Sequence, residues 1–144
     1  MNKHLTRLSH VGIPTSDLER SLDWYTRVLG LDEAFTLERD GKPWIIYLHL
    51  GPETFVELFA PRADQPKPPH THFSIEVEDV DAATADLKTR IAQEQLPTDE
   101  IITGSDGSRI LNFFDPDGHR VEFQELCPGS SQAEARTRLR AAKE

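Results

Sequence analysis

The chain carries SHVGIPTSDL at residues 9–18, and a related segment, THFSIEVEDV, follows at residues 71–80. When the two segments are aligned, His10 lies opposite His72. Each segment has the pattern of a short strand, then a turn with a capping residue, then the start of a helix. The 144-residue chain is therefore predicted to contain two copies of one structural unit.

A helix is predicted after the strand in each copy, because apolar residues recur there at helical spacing. The apolar positions are Leu18, Leu22, Tyr25 and Leu29 in the first copy and Val80, Ala83, Leu87 and Ile91 in the second. Ser16 and Glu19 match a capping box at the start of the first helix, and Gly30 stands where a glycine commonly ends one. Asp79 is the expected N-cap of the second helix.

Three strands are predicted after each helix from turn residues that separate apolar runs. They span residues 32–38, 43–50 and 53–59 in the first half, and residues 100–103, 108–114 and 119–126 in the second. Asp40 and Gly41 form a dipeptide that is typical of a tight hairpin turn. The pattern predicts an α+β fold in which two tandem βαβββ modules form a curved mixed sheet around a cleft.

The predicted modules belong to a single domain over residues 5–127. Module 1 covers about residues 5–61, a linker rich in proline and polar residues covers 62–69, and module 2 covers about 70–127. Residues 128–144 are expected to form a tail or a short helix. Three histidines near turns or ends are expected to be solvated: His4, His70 and His119.

Composition excludes several classes of partner. The net charge of −9 disfavours binding to nucleic acid or to anionic membranes, since both favour an excess of Lys and Arg. No run approaches the roughly 18 apolar residues of a membrane span, and the N-terminus has no signal-peptide pattern. Cys127 is the single cysteine, so neither an intramolecular disulfide nor a thiolate metal cage can form. These features predict a protein of a reducing, intracellular compartment, and the cytoplasm is the expected location.

Each module carries one His on its first strand and one Glu on its last, giving the set His10, Glu57, His72 and Glu122. Because strand side chains alternate, Glu57 shares a face with Phe55 and Phe59, where a carboxylate is costly unless it is neutralised. The alternative is an antiparallel sheet whose polar face lies in water. Two imidazoles and two carboxylates suit Zn²⁺, Ni²⁺, Fe²⁺, Mn²⁺ or Co²⁺, so the predicted cleft would hold one divalent metal ion.

The chain resembles the vicinal oxygen chelate superfamily, which includes glyoxalase I, methylmalonyl-CoA epimerase, extradiol dioxygenases, and the fosfomycin- and bleomycin-resistance proteins. The resemblance covers about residues 5–127. It rests on HVGI (10–13), DLERSLDWY (17–25), VLG (28–30), VEL (56–58), HF (72–73) and DPDGHRVEF (115–123). The His and Glu residues of the predicted metal set match the four ligand positions of glyoxalase I.

This resemblance implies a metal-dependent lyase or isomerase that transfers a proton through a metal-chelated enediolate of a small oxygenated substrate. Glu57 or Glu122 would be the base, and Glu122 is favoured because Arg120 and Gln124 flank it. Glyoxalase I of bacteria carries Arg and Asn, which bind glutathione, where this chain has Pro14 and Pro61, so the usual mode of glutathione binding is not expected. The resemblance also implies a homodimer, with the four ligands supplied by one chain or by two.

Two other functions fit the same residues. A triad of His10, His72 and Glu122 with Fe²⁺ would resemble an Fe(II) extradiol-type dioxygenase, whereas an aromatic cavity without metal would suit a drug-binding resistance protein.

The candidate substrate-binding residues are Arg109, Trp44, Phe55, Phe59, His49 and Phe114.

Overall fold

The computed structural model describes residues 4–94 and 100–142, and the chain divides into two compact units between Thr71 and His72. Unit 1 contains β1 (His10–Pro14), α1 (Leu18–Asp23), a π-helical segment (Trp24–Val28), β2 (Asp32–Arg39), β3 (Lys42–His49) and β4 (Phe55–Phe59). Unit 2 contains β5 (His72–Glu76), α2 (Val80–Glu94), β6 (Ile102–Thr103), β7 (Arg109–Phe114), β8 (Arg120–Glu125) and α3 (Ser131–Ala141). The predicted α+β class and the repeated βαβββ module are confirmed.

The two units have the same topology, and each forms its own four-stranded mixed sheet. The strand orders are β1-β4-β3-β2 and β5-β8-β7-β6. The first strand of each module pairs in parallel with the last, and the other pairings are antiparallel. As a consequence, the strand that carries the His and the strand that carries the Glu are neighbours in both units.

The first helix begins one residue later than the capping-box prediction requires. The carboxylate of Asp17 accepts a hydrogen bond from the Arg20 amide at 3.0 Å, so Asp17 is the N-cap. Ser16 accepts instead from the Arg20 guanidinium at 3.2 Å. The capping box is therefore wrong, because the extended backbone of Asp17 brings its short carboxylate to the free amides of the first turn.

The predicted stop of this helix is confirmed at Gly30, which has a φ of 81°. The last part of the helix widens into a π-helical segment, in which the Leu29 amide donates to the carbonyl of Trp24 at 3.1 Å. Trp24, Tyr25 and Val28 are all buried in this segment. The extra residue per turn is a local feature that the apolar spacing alone does not reveal.

The core of unit 1 lies on one face of its sheet. Its buried strand residues include Ile13, Ile46, Leu48, Val56 and Leu58. Because side chains alternate along a strand, the opposite face of β4 presents Phe55, Glu57 and Phe59, as the sequence predicts. Burying one face against the helical segment leaves the other face available for chemistry.

Unit 2 is built in the same way, with α2 lying against β7 and β8. Its core residues include Val80, Leu87, Ile91, Leu111, Phe113 and Val121. The predicted N-cap is confirmed, since the Asp79 carboxylate accepts from the Ala82 amide at 2.9 Å. Arg136 of α3 forms an ion pair with Glu76 of β5 at 2.7 Å. Residues 143–144 of the predicted tail lie outside the described residues.

His119 is completely buried, so the prediction that it is solvated is wrong. The reason is the Asp115-Pro116-Asp117-Gly118 turn before it. The buried carboxylate of Asp115 accepts from the amides of Asp117 and His119, both at 2.9 Å, and so closes the turn. Within the described residues, no helix is long and apolar enough to cross a membrane.

Candidate functional site

The first His–Glu pair lies in unit 1. Nε2 of His10 is 3.3 Å from Oε2 of Glu57. The His10 side chain is about half exposed, whereas the Glu57 side chain is only 7% exposed. Nδ1 of His10 lies 3.2 Å from the Ser9 hydroxyl, so the other ring nitrogen is directed at the carboxylate. One imidazole and one carboxylate are thereby held together at the surface of the sheet.

Gly12 makes room for this carboxylate. It is the β1 residue aligned with Glu57 in the parallel pair. A Cβ atom at Gly12 would lie 3.1 Å from the Phe59 ring and 3.8 Å from Oε2 of Glu57. The absence of a side chain lets the ring and the carboxylate occupy the same face, and a larger residue would have to displace them.

Tyr47 lies on the other side of Glu57, aligned with it in the antiparallel β3–β4 pair. Its hydrogen bond with the Glu57 carboxylate, together with partial burial and the nearby negative charge, raises the pKa of Tyr47. The phenol is therefore kept in its protonated, donating form. Tyr47 is a site residue that the sequence analysis missed, although its alternation with Leu48 along β3 could have placed it on this face.

Aromatic rings surround the buried carboxylate. Phe35 stacks on Tyr47 with ring centroids 4.3 Å apart, and Phe55 meets Tyr47 edge-on at 6.0 Å. His49 lies against Phe55 at 5.1 Å. Two of the candidate substrate-binding residues, Phe55 and His49, thus lie on the Glu57 face. Phe35 was missed by the sequence analysis.

The second pair repeats the first in unit 2. Nε2 of His72 is 3.7 Å from Oε2 of Glu122, whose side chain is 12% exposed. Asn112 is aligned with Glu122 across the β7–β8 pair, at the position that Tyr47 holds in unit 1. Its side-chain oxygen is buried and has no hydrogen-bond partner among the described residues. Phe114 alternates with Phe113 and so shares the face of Asn112.

The donor chemistry of the two pairs fits a divalent metal. Neutral imidazole and carboxylate are ordinary ligands for Zn²⁺, Fe²⁺, Ni²⁺ and Mn²⁺. Neither Glu57 nor Glu122 receives an ion pair from Lys or Arg in residues 4–94 and 100–142, which leaves each carboxylate without a strong cation. Within each described unit, no three His, Cys, Asp or Glu side chains cluster as metal ligands. Each unit therefore offers two donors rather than a complete site.

Arg109 lies elsewhere. It is aligned with Glu125 and shares the face of the buried Leu111 two residues away, which places it on the face opposite Glu122. Its guanidinium binds Asp81 at 2.7 Å and lies 3.5 Å from Glu125. The hydrogen bond from Arg109 lowers the pKa of Asp81. Since these contacts tie β7 to the start of α2, Arg109 is left out of the site proposed below.

A pocket of about 480 Å³ opens in unit 1 where β1 and β4 end. Its walls include Pro14 and Phe59, together with the candidate residue Trp44. Two arginines that the sequence analysis missed, Arg39 and Arg62, also line it. Their positions in a hairpin and in the linker gave no sequence signal, because the pocket brings together segments that are distant along the chain.

A family model described as the Glyoxalase/Bleomycin resistance protein/Dioxygenase superfamily matches residues 7–123. The chain belongs to this superfamily. The match confirms the resemblance to the vicinal oxygen chelate group, and it covers module 1, module 2 as far as residue 123 in β8, and both His–Glu pairs.

Two curated proteins with related sequences are epimerases. The chain is 31% identical to a 2-epi-5-epi-valiolone epimerase from an Actinomyces species, over 91% of this chain and 85% of the relative. It is 29% identical to the human mitochondrial methylmalonyl-CoA epimerase, over 85% of this chain and 75% of the relative.

Solved structures of the superfamily share the fold. One is a lactoylglutathione lyase from Agrobacterium tumefaciens, with a TM-score of 0.65 and 24% identity. The similarity covers 85% of this chain and 96% of that one. At this level of identity the likeness establishes the architecture alone.

Proposed function

We propose that the chain is a metal-dependent isomerase or lyase that moves a proton at a carbon next to a carbonyl group of a small oxygenated substrate. The observation that carries the proposal is the repeated His–Glu pair, with a carboxylate almost fully buried in each unit and no Lys or Arg bound to it in the described parts of the chain. Both curated relatives are epimerases, which also supports isomerase chemistry.

His10, Glu57, His72 and Glu122 would together hold one divalent ion, because two imidazoles and two carboxylates supply four donors and balance its charge. When bound, the ion would polarise neighbouring substrate oxygens and stabilise the negative charge that develops as the proton leaves. The same ion would neutralise the two carboxylates, whose burial is otherwise costly.

Glu122 is the better candidate for the base. The Glu57 carboxylate is fixed by its hydrogen bond with Tyr47, whereas Glu122 faces Asn112, whose buried side-chain oxygen has no hydrogen bond within the described chain. A carboxylate that takes a proton becomes a hydrogen-bond donor, and the Asn112 oxygen is an acceptor placed across from it. These contacts favour Glu122 as the base and leave Glu57 as a ligand held in place by Tyr47.

A proton must then be added to the substrate carbon, and Glu122 must lose its own proton to solvent before the next turnover. Addition by a second acid, from the face opposite Glu122, would invert that carbon, which is the outcome of an epimerase. The names of the two curated relatives favour this outcome for the present chain. Aromatic side chains on the Glu57 face, such as Phe35 and Phe55, would exclude water and hold the apolar part of the substrate.

The proposal is tested on protein purified without a polyhistidine tag. Elemental analysis is expected to find about one divalent metal ion per chain, which is one ion for the four residues His10, Glu57, His72 and Glu122. Metal-loaded protein in D₂O is expected to exchange the hydrogen next to the carbonyl in one member of a panel of 2-substituted acyl thioesters and polyhydroxy ketones, followed by NMR. Absence of both metal uptake and exchange would refute the proposal, and oxygen consumption with catechols would indicate a dioxygenase instead.

Tyr47 is expected to act as a positioning residue for Glu57. Tyr47→Phe removes the donor from a buried carboxylate, and we expect metal affinity to fall about tenfold, since outer ligand contacts commonly contribute this much. Competition with a chelator would measure the change in affinity. Phe35→Leu is the matched control, because it removes the ring stacked on Tyr47 but leaves the hydroxyl in place. Equal metal affinity in Tyr47→Phe and the wild type would contradict this role.

A further inference from the structure

The pocket in unit 1 contains an arginine whose charge is not compensated. The guanidinium carbon of Arg39 lies 3.4 Å from the centroid of the Trp44 ring. Stacking on a ring occupies the flat face of the guanidinium and leaves the N–H donors at its edge free. Among the described residues, Arg39 forms no ion pair. Trp44 therefore holds a cationic group with open hydrogen-bond donors at the wall of the pocket.

The charge of this pocket differs from that of the whole chain. The chain carries a net charge of −9, yet no Asp or Glu lines the pocket within the part of the chain that the structure describes. Arg62 also lines the pocket, but both oxygens of Asp64 bind it, at 2.7 and 3.0 Å. Arg62 is consequently compensated, and Arg39 is the group that makes the pocket attractive to an anion.

Phe59 connects the pocket to the His10–Glu57 pair. Its ring lies beside Gly12 on the face of Glu57, and it also forms part of the pocket wall. Glu57 and Phe59 are two residues apart on β4, a distance of about 7 Å along a strand. Because the pocket opens at the ends of β1 and β4, a substrate whose reacting carbon lies near Glu57 could extend past Phe59 and around the end of the sheet into the pocket with a second group.

We propose that Arg39, held by Trp44, binds an oxyanion at the far end of the substrate, either a carboxylate or a phosphate. This inference rests on the proposed function and narrows its substrate class to carbonyl compounds that carry such a group several bonds from the reacting carbon. A guanidinium edge matches both kinds of oxyanion through paired hydrogen bonds. The size of the pocket, about 480 Å³, accommodates the group together with part of the chain that links it to the carbonyl.

The test is a titration with inorganic phosphate and, separately, with malonate at constant ionic strength, followed by tryptophan fluorescence. Trp44 should respond to an anion at Arg39, whereas the fully packed Trp24 should not. We expect saturable binding of one of the two anions, and the anion that binds identifies the kind of group. Arg39→Met should weaken binding about tenfold or more, the effect of losing a charged hydrogen-bond partner.

Two further variants serve as controls. Arg62→Met should weaken anion binding less than threefold, since Asp64 already compensates Arg62. Arg39→Lys keeps the charge but loses the planar edge, and we expect an intermediate loss. Because Arg39 is exposed, circular dichroism should show an unchanged fold in both Arg39 variants. No saturable binding of either anion, or equal affinity in Arg39→Met and the wild type, would overturn the proposal.

The test of anion binding at Arg39 can fail or succeed independently of the test of metal binding. Arg39→Met should keep its metal content, because Arg39 supplies no metal ligand. His10→Ala should lose metal but keep anion binding to the pocket. If the anion binds while no variant holds metal, the pocket proposal stands and the metal-dependent function fails. If metal is held but no anion binds, the reverse conclusion follows.

Discussion

Replacing Glu122 by glutamine is expected to lower turnover about a thousandfold, within the range that general bases contribute, while the protein keeps its fold and part of its metal. Glutamine has almost the same shape as glutamate but cannot take up a proton. The N–H of its amide can donate to the buried oxygen of Asn112, which has no partner in the described chain, so the side chain should remain in place. Exchange of substrate hydrogen for deuterium, expressed per bound metal, would measure the loss.

Glu57→Gln is the matched control for this experiment. The substitution removes the same charge in the equivalent strand of the other unit, and the oxygen of the new amide can still accept the hydrogen bond from Tyr47. We expect it to weaken metal binding but to lower turnover per bound metal much less than Glu122→Gln does. Full activity in Glu122→Gln would refute the role of Glu122 as base. A larger loss per bound metal in Glu57→Gln would transfer that role to Glu57.

His10→Ala should weaken metal binding at least a hundredfold. Loss of outer contacts to a ligand already costs up to about a hundredfold, and this substitution removes a ligand itself. It also leaves the buried Glu57 carboxylate without the imidazole that lies 3.3 Å away. The metal content of purified protein and a chelator competition would measure the effect, and His72→Ala is expected to behave in the same way.

His49→Ala provides the control for the histidine substitutions. His49 lies on the same face of the same sheet, but it packs on Phe55 and forms no ion pair with a carboxylate in the described residues. Its replacement should leave metal affinity unchanged. Equal metal binding in His10→Ala and His49→Ala would contradict the proposed ligand set. Coexpression of His10→Ala with His72→Ala tests whether the four ligands come from one chain or from two. If they come from two chains, a mixed dimer contains one intact ligand set and binds metal, whereas ligands from a single chain would leave no intact set.

The sequence contained enough information for the architecture of each module. A strand–turn–helix segment that occurs twice, with a His at the same place, predicts a repeat, and alternation along β4 and β8 predicts which face carries each Glu. These features depend on neighbouring residues, whose conformations are governed by local sterics and burial. Gly30 and Asp79 were predicted correctly for the same reason, since helix ends depend on residues within one turn.

The sequence was less informative where neighbours in space are distant along the chain. Pairing of β1 with β4 brings His10 and Glu57 within 3.3 Å across a separation that no local pattern encodes. The faces of Arg109 and Tyr47 depend on the strand register, which a shift of one residue would reverse. The errors at Ser16 and His119 have a different, local origin, because hydrogen bonds to the carboxylates of Asp17 and Asp115 determine the geometry there.

By itself, the amino-acid sequence determined the repeated modules, the superfamily and the four residues of the candidate metal set, because periodicity and residue type are properties of the chain. The tertiary structure alone revealed the hydrogen bond between Tyr47 and Glu57 and the stacking of Arg39 on Trp44. Both depend on which strands lie side by side and in what register. The physical reason is that strand pairing and register decide which side chains are buried and which meet, and both form only when the chain folds.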